Sequence, residues 1–205
     1  MNLVYQVRKI YNCWRGSRLH SHPTVISRNC VGGVLFHDLG LKFLSPTINM
    51  TMSGEDFILL CQHLEDFLAA EMEEVTDHAE DYPVGRLNTE HGSITLDLVH
   101  YDTFQSAAES WERRKKRVDL NNIRIIFHIE PPVSPKLVEQ FERLPYAHKV
   151  LLSSGIDVKR HPDCYNLPCY AAGHTRSIER YRSKYSIRRC QDEYDWISFL
   201  NGDPQ

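Results

Sequence analysis

Thr24-Val25-Ile26-Ser27-Arg28-Asn29-Cys30-Val31-Gly32-Gly33, continuing as Val34-Leu35-Phe36-His37-Asp38-Leu39-Gly40, is the stretch that decides the fold. Thr24 to Ile26 is a β-branched run with the composition of a buried strand. Asn29 to Gly33 reads as a tight glycine turn, and the apolar residues after it as a short helix that Gly40 closes. Working outward, Ser53-Gly54-Glu55-Asp56 has the form of a capping box. Phe57, Leu60, Cys61, Leu64 and Leu68 then make one helical stripe, predicting a helix to about Ala70. Ile94 to Leu98 alternates as a strand, Asp102-Thr103 opens a second helix, and Ile123 to Ile129 is strongly β-biased. Ser134-Pro135 starts a third helix, and Lys149 to Ser153 is a further apolar strand. Strands alternating with helices predict an α/β layered fold, a largely parallel sheet with helices on both faces. A C-terminal edge hairpin around Cys169–Ala172 and a terminal helix from Asp192 through Leu200 complete the expectation.

The 205 residues fit a single domain over 1–205, with its core at about 24–153 and an extension over 154–205. A formal net charge of -3 argues against a nucleic-acid-coating protein. Mean hydropathy is -0.44, and no apolar run suits a bilayer span. Met1 to Arg18 lacks the apolar stretch of a signal peptide, so the expected place is the cytoplasm, or the periphery of the inner membrane face. The six cysteines include no C-x-x-C pair and read as reduced and structural.

Ligands of open α/β sheets bind beyond the carboxyl ends of the strands, and three polar clusters fall there. Asn29, Gly32 and Gly33 could present backbone amides to a phosphate, or form only a tight turn. Cys30, beside them, is either a nucleophile at a helix start or a small buried thiol. Ser45, Thr47 and Asn49 could bind sugar hydroxyls or cap their own loop. His100-Tyr101-Asp102 follows a strand, where His100 could be a general base or a structural histidine. The basic run 113–117 is a solvated helix end or a phosphate grip, with Arg113 and Arg117 at i, i+4 and Arg114 flanking them. No zinc-protease spacing, Walker loop, G-x-S-x-G elbow or D-x-D is present, so no metal and no cofactor are expected.

Taken in order, Ile26 to Gly33, Leu39-Gly40-Leu41 and Ser45 to Asn49 resemble the opening of a bacterial family of unknown function. Its members are often labelled exopolysaccharide biosynthesis proteins. Asp56-Phe57, Tyr82 to Gly85, His100-Tyr101, Trp111 to Arg117 with Asn121-Asn122, Leu144-Pro145 and Lys149-Val150 continue the likeness over about residues 3–200. Arg28 stands where a second Asn is common and Val31 where an aromatic is common. These departures touch substrate details rather than membership.

The resemblance implies work in capsule, lipopolysaccharide or exopolysaccharide assembly. The expected function is a transferase, glycosyltransferase-like, taking a nucleotide sugar and a saccharide or lipid-linked acceptor. In that reading Asn29, Gly32, Gly33, Arg113, Arg114 and Arg117 hold the phosphates. Ser45, Thr47 and Asn49 hold the sugar, Tyr101 also contacts the substrate, and His100, or else Asp97 or Asp102, is the base. A rival enzyme makes Cys30 a covalent nucleophile with His100 as its base, for acyl or other group transfer. A third reading is a non-catalytic binding module of a polysaccharide assembly complex.

Overall fold

The computed structural model describes residues 3–171 and 177–203. Its frame is a sheet of four parallel strands: β1 (Thr24–Ser27), β5 (Ile123–His128), β6 (Lys149–Ser153) and β7 (Cys164–Asn166), in the order β1-β5-β6-β7. The register pairs Ile26 with Ile125, Phe127 with Leu151, and Leu152 with Tyr165. Successive residues of these strands serve opposite faces. Ile26, Ile125, Phe127 and Leu151 join one apolar cluster, and Val25, Ile126, Val150 and Leu152 join the other. Both faces are covered, so β1, β5 and β6 are apolar on both sides through their middles rather than alternating with polar residues.

On the first face lie α3 (Gly54–Gln62), α4 (Leu64–Ala69), α5 (Phe104–Lys115) and α6 (Pro135–Glu142). On the second lie α2 (Val31–Leu39) and α8 (Trp196–Asn201). Gly40 closes α2 in the left-handed conformation at φ 68°. Ser53 Oγ accepts from the Asp56 amide at 3.0 Å, and Thr103 Oγ1 from the Ser106 amide at 3.2 Å, starting α3 and α5 where their sequences predict. The parallel sheet with helices on both faces is the architecture expected.

Several elements differ from the expectation. The helix expected to reach Ala70 breaks at His63 into α3 and α4. Tyr146 Oη donates to the Cys61 carbonyl at 2.7 Å, claiming an acceptor that a continuous helix would use internally. β2 (Met72–Val75), β3 (Val84–Thr89) and β4 (Gly92–Asp97) leave the main sheet and form a separate antiparallel sheet of three strands. Its first strand lies in the acidic run 71–81, and its second follows Tyr82-Pro83. A two-residue turn joins β3 to β4, with Gly92 at φ 130°.

Among the described residues the C-terminal edge holds no hairpin at Cys169. β7 runs parallel to β6, and Pro168 at a first-turn position opens the short α7 (Pro168–Ala171), while Ala172 lies outside the described residues. The terminal helix begins at Trp196 rather than Asp192. Asp195 accepts from the amides of Ile197 and Ser198, and residues 190–193 form a separate 3-10 turn. An N-terminal helix, α1 (Leu3–Gly16), was not expected.

Gly32 and Gly33 separate packing from propensity. A Cβ on Gly32 would stand 2.8 Å from Ser27 Cβ, because α2 is pressed against β1 there. A Cβ on Gly33 would meet nothing nearer than Ile48 Cγ2 at 3.4 Å. Gly32→Ala is expected to cost about 1–3 kcal/mol by overpacking. Gly33→Ala is expected to be neutral or to stabilise by up to about 1 kcal/mol, since a helix prefers Ala. Urea unfolding of the two variants checks the contrast.

Candidate active site at the carboxyl edge of the parallel sheet

β1 and β5 end side by side, at Ser27 and His128. The residues just past β1 therefore meet the last residue of β5, although about a hundred positions separate them. Arg28 Nε donates to the Met52 carbonyl at 2.9 Å, and its Nη1 to the His128 carbonyl at 2.7 Å. Asn29 Nδ2 donates to His128 Nδ1 at 2.9 Å, while Asn29 Oδ1 accepts from the Val31 amide at 3.3 Å. A backbone amide can only donate, so this bond fixes which end of the Asn29 amide carries hydrogens. His128 Nδ1 is then an acceptor, and the proton of the neutral ring sits on Nε2. That nitrogen donates to Tyr170 Oη at 2.7 Å. Burial lowers the His128 pKa, in keeping with a neutral imidazole, and raises that of Tyr170, which stays protonated as a donor.

Beside this chain stands the second pair. Cys30 Sγ lies 3.3 Å from His100 Nε2. Cys30 is half-buried before the first turn of α2, and His100 is exposed in the turn after β4. Burial pushes the Cys30 thiol up to about 11, with the Glu179 carboxylate adding to the effect. At neutral pH sulfur therefore carries its proton, 3.3 Å from an imidazole nitrogen. Glu179 acts electrostatically on Cys30, His128 and Tyr170 alike. Burial lowers the Arg28 pKa against the pull of Glu130, Glu55 and Asp97, with Glu130 Oε2 3.9 Å from its Nη1. Burial, then Glu80 and Asp56, raises the Asp97 carboxyl, against the opposing pull of Arg28.

The other sequence candidates fall elsewhere or are occupied. Gly32's amide is taken by Ser27 Oγ at 3.2 Å, and Val31's by Asn29. The turn thus fills the amides of Val31 and Gly32 itself, and Gly32 is there for close packing. Ser45 and Thr47 are each 1% exposed. Thr47 Oγ1 accepts from the Ser27 amide at 3.2 Å and pairs with Ser45 Oγ at 3.0 Å, so both hydroxyls latch the loop to β1 instead of facing a ligand. Asn49 supplies a left-handed turn position at φ 67°.

Arg114 is buried. Its Nη1 donates to the Ile48 carbonyl at 2.9 Å and to Tyr101 Oη at 2.6 Å, while Tyr101 Oη donates to Ile48 O. Arg114 and Tyr101 thus tie α5 to the 43–49 loop. α5 ends at Lys115, so Arg117 lies beyond it and cannot pair with Arg113 on one helical face. Arg117 Nη1 donates to the Phe43 carbonyl at 3.2 Å, and the exposed Arg113 donates to Ser110 Oγ at 3.1 Å. Asp102 is exposed and bonds neither His100 nor Cys30. The structure brings together Asn29, Cys30 and His100 of the sequence candidates. His128 and Tyr170, which the sequence reading passed over, complete the group. A histidine ending a buried strand was their one sequence signal.

Away from this edge, His63, Asp66 and His91 hold ligating atoms within 4.8 Å of one another. The two rings stack face to face at 3.6 Å, with His91 Nε2 on Asp66 at 3.0 Å. A shared ion would need one ring to turn, because a ring nitrogen's lone pair lies in its plane.

A profile of a domain of unknown function, DUF1919, matches residues 4–201, nearly the whole chain. The chain belongs to the DUF1919 family. A Haemophilus influenzae relative, an uncharacterised protein, is 34% identical over 183 residues, covering 87% of this chain and 84% of its own length. DUF1919 membership thus spans both sheets and the candidate site. Among the described residues no helix is long and apolar enough to cross a membrane.

Proposed function

We propose that this DUF1919 protein is a transferase using Cys30 as nucleophile and His100 as its base. The 3.3 Å contact between Cys30 Sγ and His100 Nε2, at the edge where α/β sheets hold ligands, carries the reading. Sulfur attacks the carbonyl carbon of an acyl donor, and the bond to the leaving group breaks as the C–S bond forms. The thiol proton passes to His100 and then to the leaving group. An acceptor hydroxyl or water gives its proton to His100, takes the acyl group, and the thiol re-forms. The Tyr170 hydroxyl, held by His128, is the donor on this edge suited to a developing oxyanion.

Transfer from a nucleotide-activated sugar has less support. The Val31 and Gly32 amides of the turn are already bonded, and Arg114 and Arg117 are committed to carbonyls. The proposed setting, bacterial surface-polysaccharide assembly, rests on the family resemblance alone.

The test is mass spectrometry of the intact protein and of its Cys30 peptide after exposure to acyl thioesters and p-nitrophenyl esters. An acyl adduct on Cys30, lost in His100→Ala, supports the reading. A protein that acquires no adduct on Cys30, yet is protected from heat by nucleotide sugars, overturns it.

A further inference from the structure

α1 is amphipathic in an inverted sense. Leu3, Val7, Ile10 and Trp14 recur at i, i+4, i+7 and i+11 and form one stripe. That stripe faces outward: Leu3 is 77% exposed, Ile10 69% and Trp14 55%. The polar face is the one bound to the body. Arg15 is buried, with Nη1 on Asp192 Oδ1 at 2.7 Å. Asn12 is buried beside it, and Arg8 Nε donates to the Ser186 carbonyl at 2.7 Å with its guanidinium 3.6 Å over the Tyr181 ring. A surface helix that satisfies polar groups inward and leaves its apolar residues in water has its apolar face available for another phase.

Charge selects the occupant. The first 37 residues hold Arg8, Lys9, Arg15, Arg18 and Arg28 and no Asp or Glu, although the chain as a whole is acidic at -3. Lys9 is exposed on another flank of α1, and Arg18 is exposed just past the end of the helix, with its guanidinium 5.2 Å over the Trp14 ring. Arg8 also donates to the Lys184 carbonyl, which sets the exposed Lys184 and Tyr185 beside α1. Leucine, isoleucine and tryptophan on one face, with cations elsewhere on the helix and at its end and no acid, is the composition of a helix lying in the headgroup region of an anionic bilayer. A second copy of the helix would bring like charges together with no acid in it to offset them.

We propose that α1 docks the protein on anionic lipid surfaces, its outer face entering the headgroup layer while its inner face stays bonded to the 177–203 segment. This docking is independent of the chemistry at Cys30.

The full chain is floated with vesicles of phosphatidylcholine, with and without phosphatidylglycerol. Trp111 and Trp196 are buried at 0% and 1%, so a change in tryptophan emission on binding reports Trp14. Expected are flotation with the anionic vesicles, a blue shift that Trp14→Phe removes, and loss of binding at about 1 M salt, where the screening length is ~3 Å. Ile10→Asp is expected to weaken binding by about tenfold or more. Its side chain is exposed, so circular dichroism should show an unchanged fold. Lys9→Glu with Arg18→Glu leaves the stripe intact and is expected to abolish the preference for phosphatidylglycerol. No flotation with anionic vesicles overturns the proposal. So does unweakened binding by folded Ile10→Asp, or a dimer that Ile10→Asp dissociates with no vesicle binding by either form.

Discussion

Cys30→Ala is expected to reduce acyl transfer to background, and His100→Ala to slow it by about 10²–10⁴-fold, the usual contribution of a positioned base. A p-nitrophenolate burst, read alongside the covalent adduct, measures both. The pH dependence distinguishes this pair from a preformed thiolate–imidazolium. Burial and Glu179 hold the Cys30 thiol at about 11, so thiolate is scarce at pH 7. Without substrate, alkylation of Cys30 by iodoacetamide should climb about tenfold per pH unit above 7 and keep rising past the ordinary thiol range. Glu179→Gln removes the neighbouring negative charge, which lowers the thiol pKa and should speed alkylation at pH 8. A plateau below pH 8 in the wild type would contradict the neutral-thiol assignment. The same shift has a stability consequence. The folded protein favours the protonated thiol, so this contribution is complete below the unfolded thiol pKa, near 9.0, and is lost as pH rises toward 11.

Arg15→Leu is expected to produce the largest loss of stability. The Arg15–Asp192 pair is buried, its side chains 6% and 3% exposed, and Asp192 Oδ2 also accepts from the Arg189 amide at 2.7 Å. Removing the guanidinium leaves a carboxylate in a site with little water. Breaking such a pair from one side costs about 3–5 kcal/mol. For a chain of this size that lowers Tm by roughly 6–20 °C. Replacing both partners, Arg15→Leu with Asp192→Leu, should recover part of the loss, because no buried charge is then stranded. The Asp192 substitution also removes the acceptor of the Arg189 amide, so recovery is expected to be incomplete. Thermal melts of the single and double variants form the cycle. A single variant that melts with the wild type would show that the pair does not hold α1 to the C-terminal segment.

The candidate site was half legible before folding. Cys30 and Asn29 stand out because they follow a buried strand and precede a helix, a local pattern. His100 stands out for the same reason after β4. The basic run misleads because charge on a helix end is cheap, and its composition does not say whether a guanidinium meets water, a ligand or a carbonyl. Arg114 and Arg117 meet carbonyls. Ser45 and Thr47 mislead likewise: hydroxyls in a loop look available until β1 is placed beside them.

The sequence by itself determined the parallel α/β architecture, the capped starts of α3 and α5, the closure of α2 at Gly40, and the position of Cys30 at a strand end. These depend on hydrophobic period, turn chemistry and backbone preference, which act within a few residues. Tertiary structure alone decided that His100 meets Cys30 across 70 positions, and that Asn29 meets His128 and His128 meets Tyr170. It also decided that α1 turns its arginine inward and its tryptophan outward. Those outcomes depend on strand order and on which partner neutralises a buried charge, and no local pattern encodes either.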